Sequence, residues 1–182
     1  MGDRAAKDAL YDGFAEIAKA LANGRRAEIV DVLAQGERHV EELAAEIDQS
    51  IANTSFHLRT LATAGVVTTR REGNRIYYRL ASTRVADAWA AVRDVAVNHL
   101  EDLDALADAY LGDRAGVEEI DRDELVRRLD DGDVIVVDVR PDAEYAAGHI
   151  AGALSIPHDQ LAERPAELPP GVGGVCHCRG PF

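Results

Sequence analysis

The sequence predicts two folding units, a mostly helical α+β domain followed by a smaller α/β domain. In the first half of the chain, apolar residues recur at three- and four-residue steps, as in amphipathic helices, whereas a stretch at 66–80 has a period of two. Beyond a glycine-containing segment at 113–117, short strands and helices alternate. That segment is the predicted linker, and we assign the domains to residues 1–112 and 118–182.

The composition excludes several classes of protein. Its 182 residues are 47% hydrophobic and 29% charged, which suffices for two small folded domains and argues against extended disorder. No apolar run approaches the roughly 20 residues of a membrane span, and the charged N-terminal sequence does not resemble a signal peptide. The two cysteines, Cys176 and Cys178, lie too close together for a normal disulfide framework. We therefore expect a cytoplasmic protein without a membrane partner.

Four helices are predicted before the hairpin. Apolar spacing predicts helices at 5–22 and 25–33, then a short third helix. The fourth helix begins at Ser50, a favourable N-cap, and runs to about Ala64, where Gly65 ends it. The apolar side chains expected to face the core are Val40, Leu43, Ala44 and Ile47 in the third helix and Ile51, Phe56, Leu58 and Leu61 in the fourth.

The stretch with a period of two predicts a β-hairpin. Strands at 66–71 and 75–80 flank the turn sequence Glu72-Gly73-Asn74. From Thr83 a single helix is expected to continue towards Leu111, which is unusually long for a small domain. Its apolar side chains suggest that it pairs with a second copy; they include Val85, Trp89, Val92, Val95, Val97 and Leu100.

Three helices, a hairpin and a further helix are together the elements of a winged helix-turn-helix. The net charge of −13 argues against a general polyanion binder, but residues 51–84 contain six arginines and only one acid. A helix fits the major groove, and cations on the hairpin can neutralise phosphates. The alternative is a solvated polar helix face beside a charged hairpin. The side chains predicted to contact double-stranded DNA are Ser50, Asn53, Thr54, His57, Arg59, Arg70, Arg71, Asn74 and Arg75.

Three motifs of this first domain resemble ArsR-family repressors. Residues 21–30 look like the family's opening, residues 57–67 resemble the end of its recognition helix, and residues 71–80 are very close to its wing. The resemblance covers roughly residues 10–110. It implies a homodimeric, two-fold symmetric repressor that binds a DNA operator and is paired through the first and last helices of the domain.

The metal sites of that family do not carry over. Where many members have a Cys-Val-Cys motif, this chain has His39-Val40-Glu41, which reads better as a solvated helix start than as a metal site. A second family site uses an Asp/His pair and a further His pair, and the acids and single histidine of the last helix have the wrong spacing for it. We therefore expect neither a metal nor another cofactor. The acids and the histidine of that last helix are Asp87, Asp94, His99 and Asp102.

The second domain begins with a capped helix. Asp121 and Glu124 resemble a capping box, and the apolar run at 134–137 reads as a strand buried on both faces. A short helix from Pro141 to Ala147 follows. Further strands are expected at 153–156 and 172–175.

A cysteine at the end of the last strand carries the second candidate site. A Cys entering a glycine-containing loop beside an arginine can be held as a thiolate or persulfide anion, although a buried or terminal free thiol would give the same pattern. With Cys176 and His177, Cys178 also offers a weaker alternative as a metal ligand.

Residues 118–182 resemble rhodanese sulfurtransferase domains. The resemblance is carried by Asp138-Val139-Arg140, by Gly148-His149-Ile150-Ala151-Gly152-Ala153 and by Cys178-Arg179-Gly180. It implies that Cys178 forms the persulfide, that Arg179 begins the anion-binding loop, and that Asp138, Arg140 and His149 are structural. Because the sequence stops at Phe182, inside that loop, we expect an incomplete α/β rhodanese-like domain and poor sulfurtransferase activity.

Two functions follow from these patterns. The first is a DNA-binding transcriptional regulator, expected to repress, whose appended domain senses or carries sulfane sulfur at Cys178 from a small sulfur donor or to a thiol acceptor. The second is a sulfurtransferase whose helical half serves mainly for dimerisation. The basic hairpin and the polar helix favour the first.

Overall fold

The structure, a computed structural model, describes residues 3–111, 118, 120–169 and 171–178. It divides into two compact units, Met1–His99 and Leu100–Phe182. The predicted linker at 113–117 lies outside the described residues. None of the described helices is long and apolar enough to cross a membrane.

The first unit contains the predicted helices and hairpin in the predicted order. The hairpin strands and a short additional strand form one antiparallel sheet in the order β1-β3-β2. Its elements are α1 (Arg4–Leu21), α2 (Gly24–Ala34), β1 (Arg38–His39), α3 (Val40–Glu46), α4 (Ile51–Thr63), β2 (Val67–Glu72), β3 (Arg75–Leu80) and α5 (Thr83–His99).

Local sequence explains where these helices begin and end. The Ser50 side chain accepts a hydrogen bond from the Asn53 backbone N–H, which confirms Ser50 as the N-cap of α4. Gly65 has a φ of +73°, and the Val66 N–H bonds back to the Leu61 carbonyl, so the chain leaves the helix in a glycine-terminated C-cap. The core packed between these helices contains Ile29, Val30, Val32, Leu33, Leu43, Ile47, Leu58, Leu61, Val66 and Val67.

Two expectations about the helices were wrong. Ile51 and Phe56 lie largely exposed, because the buried side of α4 is formed by Thr54, Leu58 and Leu61 instead. The structure also contains a strand that was not predicted, β1, which is only two residues long.

The second wrong expectation concerns the helix predicted from Thr83 to Leu111. It is two helices, α5 and α6 (Leu103–Leu111), separated by a turn. Asp102 precedes α6, and its carbonyl accepts the Leu106 N–H. Aspartate is favoured immediately before the first residue of a helix, and Asp102 lies at this position.

The second unit contains the three predicted strands in a parallel sheet. The order is β5-β4-β6, with the buried β4 in the centre, and Asp121 caps α7 by accepting the Glu124 N–H at 2.8 Å. Parallel strands place their carboxyl ends at one edge, where ligand sites of α/β proteins form. The remaining elements are α7 (Arg122–Asp130), β4 (Val134–Asp138), α8 (Asp142–Ala147), β5 (Leu154–Ser155) and β6 (Gly173–His177).

Candidate nucleic-acid interface and thiol site

Helix α4 is held on the first unit by its buried side. Thr54 is fully buried, and its hydroxyl donates a hydrogen bond to the Ser50 carbonyl at 3.0 Å. The prediction that Thr54 lies on the DNA-reading stripe is therefore wrong, since its side chain faces the core beside Leu58. This packing fixes the rotation of α4 and so determines which side chains face solvent.

Asn53 and Arg59 of α4 are both exposed to solvent, and Arg59 borders a pocket that α4 shares with α1. His57 lies half-buried at the edge of the exposed surface of α4, where its ring packs edge-to-face on Phe56 at 5.7 Å. The buried Nδ1 of His57 has no hydrogen-bond partner within the described part of the chain. The predicted polar stripe thus has two exposed members and one at its margin, while Phe56 adds an exposed aromatic ring that the sequence did not predict.

The hairpin is a wing with a two-residue turn. Glu72 pairs with Arg75, and Gly73 has a φ of +60°, which residues other than glycine rarely adopt. Arg71, Asn74 and Arg75 are exposed at or next to the turn. The Arg71 guanidinium donates to the Gly73 carbonyl at 3.2 Å, and neither Arg71 nor Arg75 forms an ion pair with a described acid. Their charges are available to a polyanion.

Arg70 differs from the other arginines of the wing because its charge is already paired. Its guanidinium donates to both carboxylate oxygens of Glu37 and to Glu72, and lies 4.7 Å from the Tyr77 ring centre. The hydrogen bonds to Glu37 and Glu72 raise the pKa of Arg70, and the bond from Arg70 is the main cause that lowers the pKa of Glu37. The sequence analysis did not predict Glu37 or Tyr77 as partners of Arg70. The pairing of residue 70 with residue 77 follows from the hairpin register, but no feature of the sequence indicates Glu37.

His39 caps a helix in the structure. The Glu42 carboxylate accepts a hydrogen bond from the His39 backbone N–H at 2.9 Å. The ring Nδ1 of His39 lies 3.4 Å from the Glu42 N–H and 2.8 Å from the Glu41 carboxylate, and the tautomer determines which of the two it bonds. A bond to Glu41 is one cause that lowers the pKa of that carboxyl, after the larger effect of its own backbone N–H. Among the described residues no cluster of three or more metal-ligating side chains is present.

The second unit holds a buried ion pair at the carboxyl end of β4. Asp138 is fully buried, and Arg140 binds it through two guanidinium nitrogens at 2.9 and 2.7 Å and through its backbone N–H. Arg140 also donates to the Gly148 carbonyl at 2.8 Å, and the His177 ring lies 3.3 Å from Asp138. Burial alone would raise the pKa of Asp138, but the hydrogen bonds and charge of Arg140 outweigh it and lower that pKa. These contacts connect the carboxyl end of β4 to the segment after α8 and to the last residue of β6.

The thiols lie at the same edge of the parallel sheet. Cys176 is in β6, and Cys178 follows the strand; both are exposed. Partial burial of the sulfur, and secondarily Cys178, raise the pKa of the Cys176 thiol. His149 stacks on Tyr145 at 3.8 Å, and the Tyr145 hydroxyl donates to the Ala153 carbonyl, so His149 belongs to a packed turn. Arg179 lies outside the described residues.

Comparison with known proteins identifies both units. Residues 23–69 match the family model of bacterial regulatory proteins of the arsR family, and residues 121–181 match that of the rhodanese-like domain. The chain is 47% identical over 176 residues to the HTH-type transcriptional regulator Rv0324 of Mycobacterium tuberculosis, covering 97% of this chain and 77% of that regulator. The chain belongs to the ArsR family of bacterial regulatory proteins. It is a transcriptional regulator with a winged helix-turn-helix unit and a rhodanese-like domain.

Other relatives of this ArsR-family protein match its first unit. The homodimeric winged helix-turn-helix DNA-binding domain of Mb0332 from Mycobacterium bovis, a fragment of residues 1–100, is 48% identical with a TM-score of 0.51. That match covers 56% of this chain and 92% of the fragment. The biofilm growth-associated repressor of Agrobacterium fabrum is 44% identical over 68 residues, which cover 37% of this chain and 58% of the repressor. These likenesses confirm the predicted family and fold of the first unit.

Proposed function

We propose that this ArsR-family regulator binds a two-fold symmetric DNA operator as a homodimer, with α4 in the major groove and the wing along the phosphates. The observation that carries the proposal is the exposure of Asn53 and Arg59 on α4, a helix that contacts β2 of the wing. Next to the turn of that wing, Arg71 and Arg75 form no ion pair with a described acid, although Arg75 lies close enough to Glu41 to lower the pKa of that carboxyl. Polar side chains on a groove-sized helix read bases, and unpaired cations beside them position the helix on the backbone.

Exposed apolar faces on two helices support the homodimer. Tyr11 and Phe14 on α1 are each 61% exposed, and Val92 and Val95 on α5 are at least half exposed. Large apolar side chains exposed along a helix are typical of interfaces in folded proteins. Helix-turn-helix dimers bind two half-sites about one DNA turn apart, so pairing through such helices would have to place the two copies of α4 at that spacing. The homodimeric state of the Mycobacterium bovis domain is consistent with this arrangement.

Two experiments test the proposal: selection of DNA duplexes by the protein, and measurement of the mass of the protein in solution. The full chain is expected to select a palindromic sequence from a random duplex library of roughly 30 bp, and to have twice its chain mass of 19.6 kDa in light scattering. Selected duplexes without two-fold symmetry, or a monomer at micromolar concentration, would refute the dimeric operator complex. We further propose that occupation of the operator represses transcription and that the protein acts in the cytoplasm; a reporter gene behind the selected duplex reads the direction of regulation.

We propose a second role for the rhodanese-like domain, the acceptance of sulfane sulfur at Cys178. The supporting observation is an exposed thiol directly after β6, at the carboxyl edge of a parallel sheet. A Cys178 thiolate attacking the outer sulfur of a donor persulfide forms a Cys178 persulfide and releases the donor thiol. Because the first unit contains no cysteine, a thiol signal has to originate in the second. If an acceptor thiol then takes the sulfur, the chain is a sulfurtransferase; if DNA affinity changes instead, it is a sensor.

Cys178 is expected to be alkylated faster than Cys176. The raised pKa of Cys176 leaves less thiolate at neutral pH, and thiolate is the reactive form. Iodoacetamide labelling of Cys176→Ser and Cys178→Ser, each with one thiol, measures the two rates side by side. Faster labelling of the variant that retains Cys176 would contradict the assignment of Cys178 as the reactive residue.

A further inference from the structure

Arg70 lies in a row of side chains that crosses all three strands of the first sheet. In the register of the sheet, Tyr77 of β3 is paired with His39 of β1 on one side and with Arg70 of β2 on the other. Paired residues of neighbouring strands project from the same face. The Tyr77 ring meets the His39 ring edge-to-face at 5.8 Å and carries the Arg70 guanidinium on its face.

Glu37 closes this row from outside the sheet. It lies two residues before His39, and both of its carboxylate oxygens accept hydrogen bonds from Arg70. The planar guanidinium matches a carboxylate in this two-point geometry, which a lysine ammonium does not reproduce. With Glu72 on its third nitrogen and Tyr77 beneath it, Arg70 is contacted by two acids and one ring.

Glu37, which Arg70 binds, belongs to a segment that is connected to the recognition helix α4. His39 is the N-cap of α3, and α3 packs against α4. Glu37 and His39 therefore belong to the segment from which the helix-turn-helix starts. The pairing of β1 with β3 joins this segment to one strand of the wing, and the Arg70–Glu37 contact joins it to the other strand, β2, so the two together fix the angle of the wing relative to α4. Simultaneous binding of a groove and the flanking phosphates depends on that angle.

The same contacts make Arg70 a poor phosphate ligand. A phosphate that approached its guanidinium would have to displace Glu37 and Glu72 or lie next to their two negative charges. Neither Arg71 nor Arg75 donates a hydrogen bond to a described acid; Arg75 has only the weaker electrostatic attraction of Glu41. Resting on the proposed binding of DNA by the wing, we propose that Arg70 is a positioning residue that anchors the wing to Glu37, and that it does not contact the DNA phosphates.

Substitution of Glu37 gives opposite results for an anchor and for a phosphate contact. In Glu37→Gln, an acid next to the DNA is removed, so a phosphate-binding Arg70 would be released and binding would tighten. An anchor would be lost instead, and binding would weaken. We expect Glu37→Gln and Arg70→Gln each to lose roughly tenfold in affinity, because an exposed pair of this kind is worth about threefold and the dimer has two.

The experiment measures binding of the full chain to the duplex selected by the wild type, across a series of salt concentrations. Glu37→Gln and Arg70→Gln should keep the wild-type salt slope, and Arg70→Lys should bind as poorly as Arg70→Gln, since lysine keeps the charge but loses the two-point contact. The exchanged pair Glu37→Arg/Arg70→Glu should recover part of the loss. Unfolding midpoints of all variants show whether the fold is retained.

Several outcomes would overturn the anchor. They are tighter binding by Glu37→Gln, wild-type affinity in Arg70→Lys, or a salt slope that falls by about two in the Arg70→Gln dimer, as loss of two phosphate contacts requires. If the wild type selects no specific duplex, the proposed function itself fails. If it selects one and the variants behave as phosphate ligands, only the anchor fails.

Discussion

Replacement of both Arg71 and Arg75 by alanine is expected to weaken binding to every DNA sequence by roughly a thousandfold at about 0.15 M salt. The double variant removes four exposed cations from a dimer, and each phosphate contact that is lost releases one counterion fewer. The slope of log affinity against log salt should therefore become shallower by about 3.6. Because these contacts carry no base information, the preference for the operator over unrelated DNA should change little.

A matched control separates this effect from net charge. Arg4→Ala/Arg122→Ala removes the same number of charges at exposed positions, one in α1 and one in α7. It should retain the wild-type salt slope within experimental error. Wild-type affinity in the wing variant, or an equal loss in the control, would show that the hairpin is a solvated charged surface and not a DNA contact. Titration by fluorescence anisotropy at four or more salt concentrations measures both quantities.

Much of the first unit could be predicted because the signals are local. Ser50 and Gly65 mark the ends of α4 by the chemistry of single residues, and the hairpin follows from alternation around Gly73. The local sequence did not determine which side of α4 is buried. Phe56 has the apolar character of a core residue, but the rotation of α4 is set by its packing on α2 and α3, which places Phe56 in solvent.

The candidate site shows the same division. The sequence shows that the wing is rich in arginine. It does not show which of these arginines can bind DNA, because Arg70 is paired with an acid 33 residues earlier in the chain. Glu37 has no motif, and only the fold brings it to Arg70. The break after α5 is a similar case. An alanine-rich sequence favours one continuous helix, whereas Asp102 favours a new helix start, and helix propensity alone does not decide between these two outcomes.

Arg140→Met is expected to destabilise the second unit by about 3–5 kcal/mol, the usual cost of leaving one member of a buried ion pair without its partner. Asp138 would keep its place at the carboxyl end of β4 but lose two guanidinium bonds, and the Gly148 carbonyl would lose its donor. Hydrogen exchange at the amides of Val134–Asp138 reports this unit separately from the first. Asp138→Asn/Arg140→Met should cost less than Arg140→Met alone, because no charge is then left buried.

The dependence on pH gives this prediction a sign. In the wild type the pKa of Asp138 is lowered on folding, so its contribution to stability is present above the ordinary carboxyl pKa near 4 and is lost as the pH falls through the lower, folded value. Without Arg140, burial dominates and raises the pKa of Asp138, so protonation stabilises the variant. The difference between wild type and Arg140→Met should shrink as the pH falls below about 4. A difference that is small at neutral pH, or that grows in acid, would show that Asp138 and Arg140 do not stabilise the rhodanese-like domain as a buried pair.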